Sequence, residues 1–163
     1  MTDHGAAQLL GMIRATAGRS LADGTSTLTP AINATDDPDV YRDLAVLLTA
    51  EPEAVRIAAA AALGDAGNPE ALETLEPLLG DTSPRVRLRA IEAVTRFGAV
   101  DDMVPAIGRL IATDPDPLVR RLAVYALFVV RDDPAASAAL VTAASDSDPE
   151  VRQMAQRIIA QRG

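Results

Sequence analysis

Four stretches of the chain repeat one pattern: a proline, a Val-Arg pair, and a stripe of Ala and Leu spaced for one face of a helix. The first is Glu51-Pro52-Glu53-Ala54-Val55-Arg56, running on to Ala59 and Leu63. The second is Asp81-Thr82-Ser83-Pro84-Arg85-Val86-Arg87, continuing to Ala90 and Val94. The third, Asp116-Pro117-Leu118-Val119-Arg120, continues to Ala123 and Leu127, and the fourth, Asp148-Pro149-Glu150-Val151-Arg152, to Ala155 and Ile159. The four prolines recur after 32, 33 and 32 residues. Asp or Ser before the helix is a good cap, and Pro in the first turn gives up a donor that has no partner there. Between these segments the pattern predicts second helices over Pro69–Leu79, Asp101–Ala112 and Asp133–Ala144. Two helices and two turns per period make a helical hairpin, which buries its apolar face only against stacked neighbours.

The run Leu63-Gly64-Asp65-Ala66-Gly67-Asn68-Pro69-Glu70-Ala71-Leu72, then Leu78-Leu79-Gly80-Asp81 and Pro84-Arg85-Val86-Arg87, resembles the HEAT repeat. It is closest to the short prokaryotic variety named after phycobilisome lyases. The likeness extends over residues from about 38 to 163. It implies an all-α fold: a right-handed α-solenoid of about four hairpins, with the Pro-Val helices lining a concave face. It also implies use as a protein-binding scaffold, although fold alone does not fix function.

Residues 1–36 are expected to be a capping helix and loop, and 37–163 the repeat array. Ala6, Leu9, Leu10, Ile13 and Ala17 share one helical face, predicting a helix over 4–18. Ser20–Thr35 reads as a loop, with a short turn at Thr29-Pro30 where Thr caps and Pro starts a helix. Asp37-Pro38-Asp39-Val40 with Leu44, Leu47 and Leu48 copies the repeat helix, but Pro38 lies only 14 residues before Pro52. It is either the first helix of repeat one or a degenerate repeat without its partner helix; the first reading is favoured.

A helical wheel at about 100° per residue, with Val55 as origin, puts Ile57, Ala60, Ala61 and Gly64 away from the buried side. The equivalent positions are Leu88, Ile91, Glu92 and Thr95, then Arg121, Val124, Tyr125 and Phe128, then Gln153, Gln156, Arg157 and Ala160. The candidate protein-binding site on the concave face is therefore Ile57, Leu88, Ile91, Val124, Tyr125 and Phe128, with Glu92, Arg121 and Arg157 as its polar rim. Exposed apolar patches with aromatic members mark binding sites. The competing reading packs these side chains against one another, against the N-terminal segment, or in a homo-oligomer. Asp81 with Arg87, Asp116 with Arg120, and Asp148 with Arg152 form a further pattern. A row of anion-binding arginines is one reading; the resemblance instead implies a structural ladder in which each Arg bridges the carboxylate or turn carbonyls of an adjacent repeat.

Composition narrows the chemistry. Apolar residues make up 48% of the chain but aromatics only 2%, so Ala, Leu, Val and Ile must fill the core, which favours closely packed helices. Cysteine is absent, excluding disulfides, thiolate metal sites and a cysteine nucleophile. His4 is the only histidine, which rules out the paired His/Glu metal site of HEAT-like hydroxylases. The doublets Asp36-Asp37, Asp101-Asp102 and Asp132-Asp133 begin helices, where carboxylates suit cap and dipole, and they lack calcium-loop spacing. Gly64, Gly67 and Gly80 read as helix-end glycines rather than a phosphate loop. No catalytic residue, cofactor or metal is expected.

The net charge of −8 disfavours nucleic acid and anionic membranes. All 15 basic residues are Arg, and the acidic, Lys-free composition suggests a GC-rich or salt-adapted prokaryotic host. With no leader pattern or membrane-length apolar run, the expectation is a cytoplasmic, non-enzymatic adaptor. The alternatives are a subunit resembling bilin lyase/isomerases, a self-assembling structural module and, weakest, a HEAT-like DNA glycosylase, which needs a basic groove and aromatic stacking.

Overall fold

A computed structural model describes residues 3–17, 28–35, 37–98 and 100–161. Every regular element among the described residues is helical. The chain forms two compact units, Met1–Phe97 and Gly98–Gly163.

The first unit contains α1 (Asp3–Thr16), a short helix α2 over 28–33, α3 (Pro38–Leu48) and α4 (Glu53–Ala66). A single 3₁₀ turn, Pro69–Ala71, then leads into α5 (Leu72–Leu79), followed by α6 (Pro84–Phe97). α3 lies beside α5 and α4 beside α6, while α5 and α6 pack as a hairpin. This makes two layers, in which α3 takes the place of a first helix and α4 of a second. α1 packs on both α3 and α4, burying Ala6, Leu9, Leu10 and Ile13.

The second unit repeats the plan with α7 (Val100–Thr113), α8 (Pro117–Ala126), α9 (Pro134–Ala143) and α10 (Pro149–Ala160). α7 packs on α8 and α9, and α10 on α8 and α9.

The helix starts follow from the sequence. Asp37, Asn68, Asp116, Asp133 and Asp148 each accept a backbone N–H from two residues on, and each precedes a proline. Each such cap contributes about 1 kcal/mol. Gly67 ends α4 at φ +67°, a conformation costly for any side chain with a Cβ.

Two sequence expectations change here. Leu28 and Ile32, one turn apart, are fully buried, so part of the expected 20–35 loop is helical and begins before Thr29-Pro30. Residues 20–27 lie outside the described residues. A part-buried polar cluster holds this segment. Tyr41 Oη donates to the Ile32 carbonyl at 2.7 Å, and Asn68 Nδ2 donates to the carbonyls of Ile32 and Thr35, both at 3.2 Å. Thr74, also buried, donates to the Tyr41 carbonyl at 2.8 Å.

Gly64, expected at a helix end, lies inside α4 and is buried. A Cβ built there would stand 2.6 Å from both Cα and Cβ of Ala93. Glycine is what allows α4 and α6 to approach so closely. Ala58–Ala62 and Leu63 are buried all around the helix, as expected where an apolar helix contacts several neighbours rather than one.

Candidate functional site

The arginine ladder forms with its own register. Arg56 donates from Nε and Nη2 to the two Asp81 carboxylate oxygens, at 2.6 and 2.9 Å, and from Nη1 to the Glu51 carbonyl at 2.5 Å. In the second unit Arg120 donates to both Asp146 oxygens at 2.9 Å and to the Asp114 carbonyl at 2.8 Å. One guanidinium therefore ties its own turn to the carboxylate of the next. The pairs suggested by sequence proximity are corrected. Arg87 donates to the Asp81 and Thr82 carbonyls at 2.7 and 3.2 Å, and Arg152 to those of Asp146 and Ser147 at 2.5 and 3.3 Å. Asp116 and Asp148 are instead helix caps.

The aspartate three before Pro84, Pro117 and Pro149 bends its turn by accepting an N–H two residues on. Ser83 donates to Asp81, Asp116 to Asp114, and Asp148 to Asp146, all at 2.8–2.9 Å. Burial pushes the Asp81 carboxyl up, but hydrogen bonds from Arg56 and the Ser83 N–H, with both arginine charges, outweigh it and hold it below the usual range. At Asp146 the Arg120 hydrogen bond is the leading influence, and it too lies low. These arginines are engaged in the frame.

The expected concave-face residues divide. Ile91 and Val124 are fully buried and belong to the core. The wheel allowed one buried arc, but α6 packs on both α4 and α5, and α8 on both α7 and α10, so the buried arc is wider than a single-face pattern predicts. Ile57 and Leu88 are half-buried, and Glu92 is ion-paired with Arg89 at 2.7 Å. Arg85–Glu53 and Arg96–Asp65 ion pairs join α6 to α4.

In the second unit, Arg121, Tyr125, Phe128 and Arg157 come together. With Glu150, Gln153, Met154 and Ile158 they line a groove of about 520 Å³. α8 contributes positions one turn apart, and α10 contributes a face at i, i+3, i+4, i+7 and i+8. Tyr125 is 58% exposed. Phe128 is half-buried, with the Arg131 guanidinium 4.7 Å from its ring centroid, a cation–π contact that fixes the groove wall. Arg121 is ion-paired with Glu150 across the groove. Sequence reasoning passed over Glu150, Met154 and Ile158, although their helical spacing with Arg157 was legible.

Among the described residues, no cluster of three His, Cys, Asp or Glu side chains is arranged to hold a metal ion, and no helix is long and apolar enough to cross a membrane. Asp133 caps α9, and Asp101 and Asp102 lie exposed in the first turn of α7.

A family model for HEAT repeats matches residues 41–128 and 104–163, which together exceed half of the chain. No curated protein matches the sequence significantly.

Proposed function

The chain belongs to the HEAT repeat family, and from that premise we propose that it is a non-enzymatic protein-interaction scaffold whose α8–α10 groove holds a peptide or helix of another protein. Repeat stacks of this kind commonly present extended surfaces to protein partners. The observation that carries the reading is the groove itself. Tyr125, Phe128 and Met154 leave apolar surface accessible between two helices, rimmed by Arg121, Glu150 and Arg157. Aromatic and Arg side chains are the usual anchors of interfaces, and Met adapts to varied partners.

A protein partner also suits a chain of net charge −8, which is repelled by nucleic acid and anionic membranes. We read the repeats as the short prokaryotic variety and the location as cytoplasmic.

The test is capture from host extract with wild type, Tyr125→Ser/Met154→Ser, and Val46→Ser, the last altering an exposed apolar residue of the first unit. A protein retained by wild type and Val46→Ser but lost by the groove variant is the expected result. Equal recovery by all three contradicts the reading. Recovery of the chain alone favours self-assembly, and a co-purifying chromophore favours the bilin-lyase alternative.

A further inference from the structure

Resting on that reading of the groove, we propose that its occupant is an amphipathic helix carrying a carboxylate one turn beyond its apolar anchors, and that Arg157 receives this carboxylate. Charge is unevenly placed along the chain. Up to Phe97 there are eight arginines against fourteen carboxylates, whereas from Gly98 onward there are seven against nine. Within the groove the balance reverses: Arg121 and Arg157 face one carboxylate, Glu150, which is already ion-paired with Arg121. Arg157 is exposed, and its guanidinium has no hydrogen-bond or ion-pair partner among the described residues. Arg131, over the Phe128 ring, adds a second cation beside one groove-lining residue.

Spacing gives the charge a direction. α8 and α10 are the second helices of successive hairpins and run the same way, and the Arg121–Glu150 pair aligns their starts. Tyr125 follows Arg121 by one turn and Met154 follows Glu150 by one turn, while Phe128 and Arg157 lie seven residues beyond the same pair. The groove is thus ion-paired at one end, apolar in the middle and cationic at the other. Its span of about 10 Å equals two helical turns. A helix with bulky apolar residues at i and i+4 and Glu or Asp at i+7 complements the apolar and cationic sections. Seating it beside Phe128 and Ile158 removes water from Arg157 and strengthens the charge-assisted hydrogen bond.

Three labelled alanine-based helical peptides test this by fluorescence anisotropy with the full chain. All carry Leu at i and i+4, and they differ only in Glu, Gln or Lys at i+7. The Glu peptide is expected to bind about tenfold more tightly than the Gln peptide, with the Lys peptide weakest, as one charged hydrogen bond implies. Arg157→Gln should erase the ranking, and Arg157→Glu should invert it in favour of Lys. Equal affinities that are still lost in Tyr125→Ser overturn the carboxylate assignment while leaving the groove as a protein site. Binding indifferent to Tyr125→Ser, or absent for all three peptides, overturns both.

Discussion

The α4–α6 pair of the first unit and the α8–α10 pair of the second hold equivalent places in the repeat, yet one is drawn tightly together at Gly64 and the other lines an open groove. The position filled by Gly64 in α4 is filled by Phe128 after α8, and that of buried Ala61 by exposed Tyr125. In the first unit small residues let α4 approach α6 until Gly64 meets the Ala93 backbone. In the second, bulky side chains at the same positions line a groove. The frame is common to both: Arg56–Asp81 and Arg120–Asp146 have the same donors and acceptors. A repeat can therefore keep its turn chemistry constant while the size of two helix positions decides whether the surface is sealed or available for binding.

The largest effect should come from the shared frame. Asp81→Ala and Asp146→Ala each strand a part-buried guanidinium and remove a turn hydrogen bond, at a cost of about 3 kcal/mol by denaturant unfolding. Similar losses at both sites would show that the clamp is indifferent to what the surface does. The same pair sets the acid limit. Their folded pKa values lie below the unfolded value of about 3.9, so the folded chain binds fewer protons in the acid range and stability rises with pH there. Thermal stability should be level in this respect above about pH 5 and fall as pH drops through the lowered values. Asp146→Asn should flatten that fall.

Next in size is Gly64→Ala. Alanine gains about 1 kcal/mol of helix propensity, but the contact with Ala93 involves backbone and cannot relax cheaply, so a net loss of about 2 kcal/mol is expected. A glycine in the other helix layer of the second unit should go the other way. A Cβ on Gly108 of α7 would meet Ala139 Cβ at an ordinary 3.6 Å, so Gly108→Ala should stabilise by up to about 1 kcal/mol. A gain at Gly64 would contradict the close approach of α4 to α6. Smallest is Tyr125→Ser, expected within about 0.5 kcal/mol of wild type because the side chain is mostly in water.

Much of this was legible from residue spacing. The proline period located the repeats, and the helices between the Pro-Val helices were placed within about two residues of α5 with its leading 3₁₀ turn, α7 and α9. Arg121, Tyr125, Phe128 and Arg157 were found by a wheel that needs only helix geometry. The same wheel misplaced Ile91 and Val124, because periodicity within one helix does not reveal how many other helices flank it. It also missed Met154 and Ile158, which lie nearer the buried side of α10 and reach the groove only through the way that helix packs on α8. Gly64 failed for a related reason: a glycine two residues from a helix end looks like a cap until the neighbouring backbone is seen. The Tyr41–Asn68 network joins residues far apart in sequence and has no local signature.

Hydrogen-exchange footprinting of the chain with and without its captured partner bears most directly on the claim that the open pair is the binding face. Slowed exchange over 121–128 and 150–158, with 53–66 and 84–97 unchanged, is the predicted result. Protection confined to α4 and α6 would contradict it.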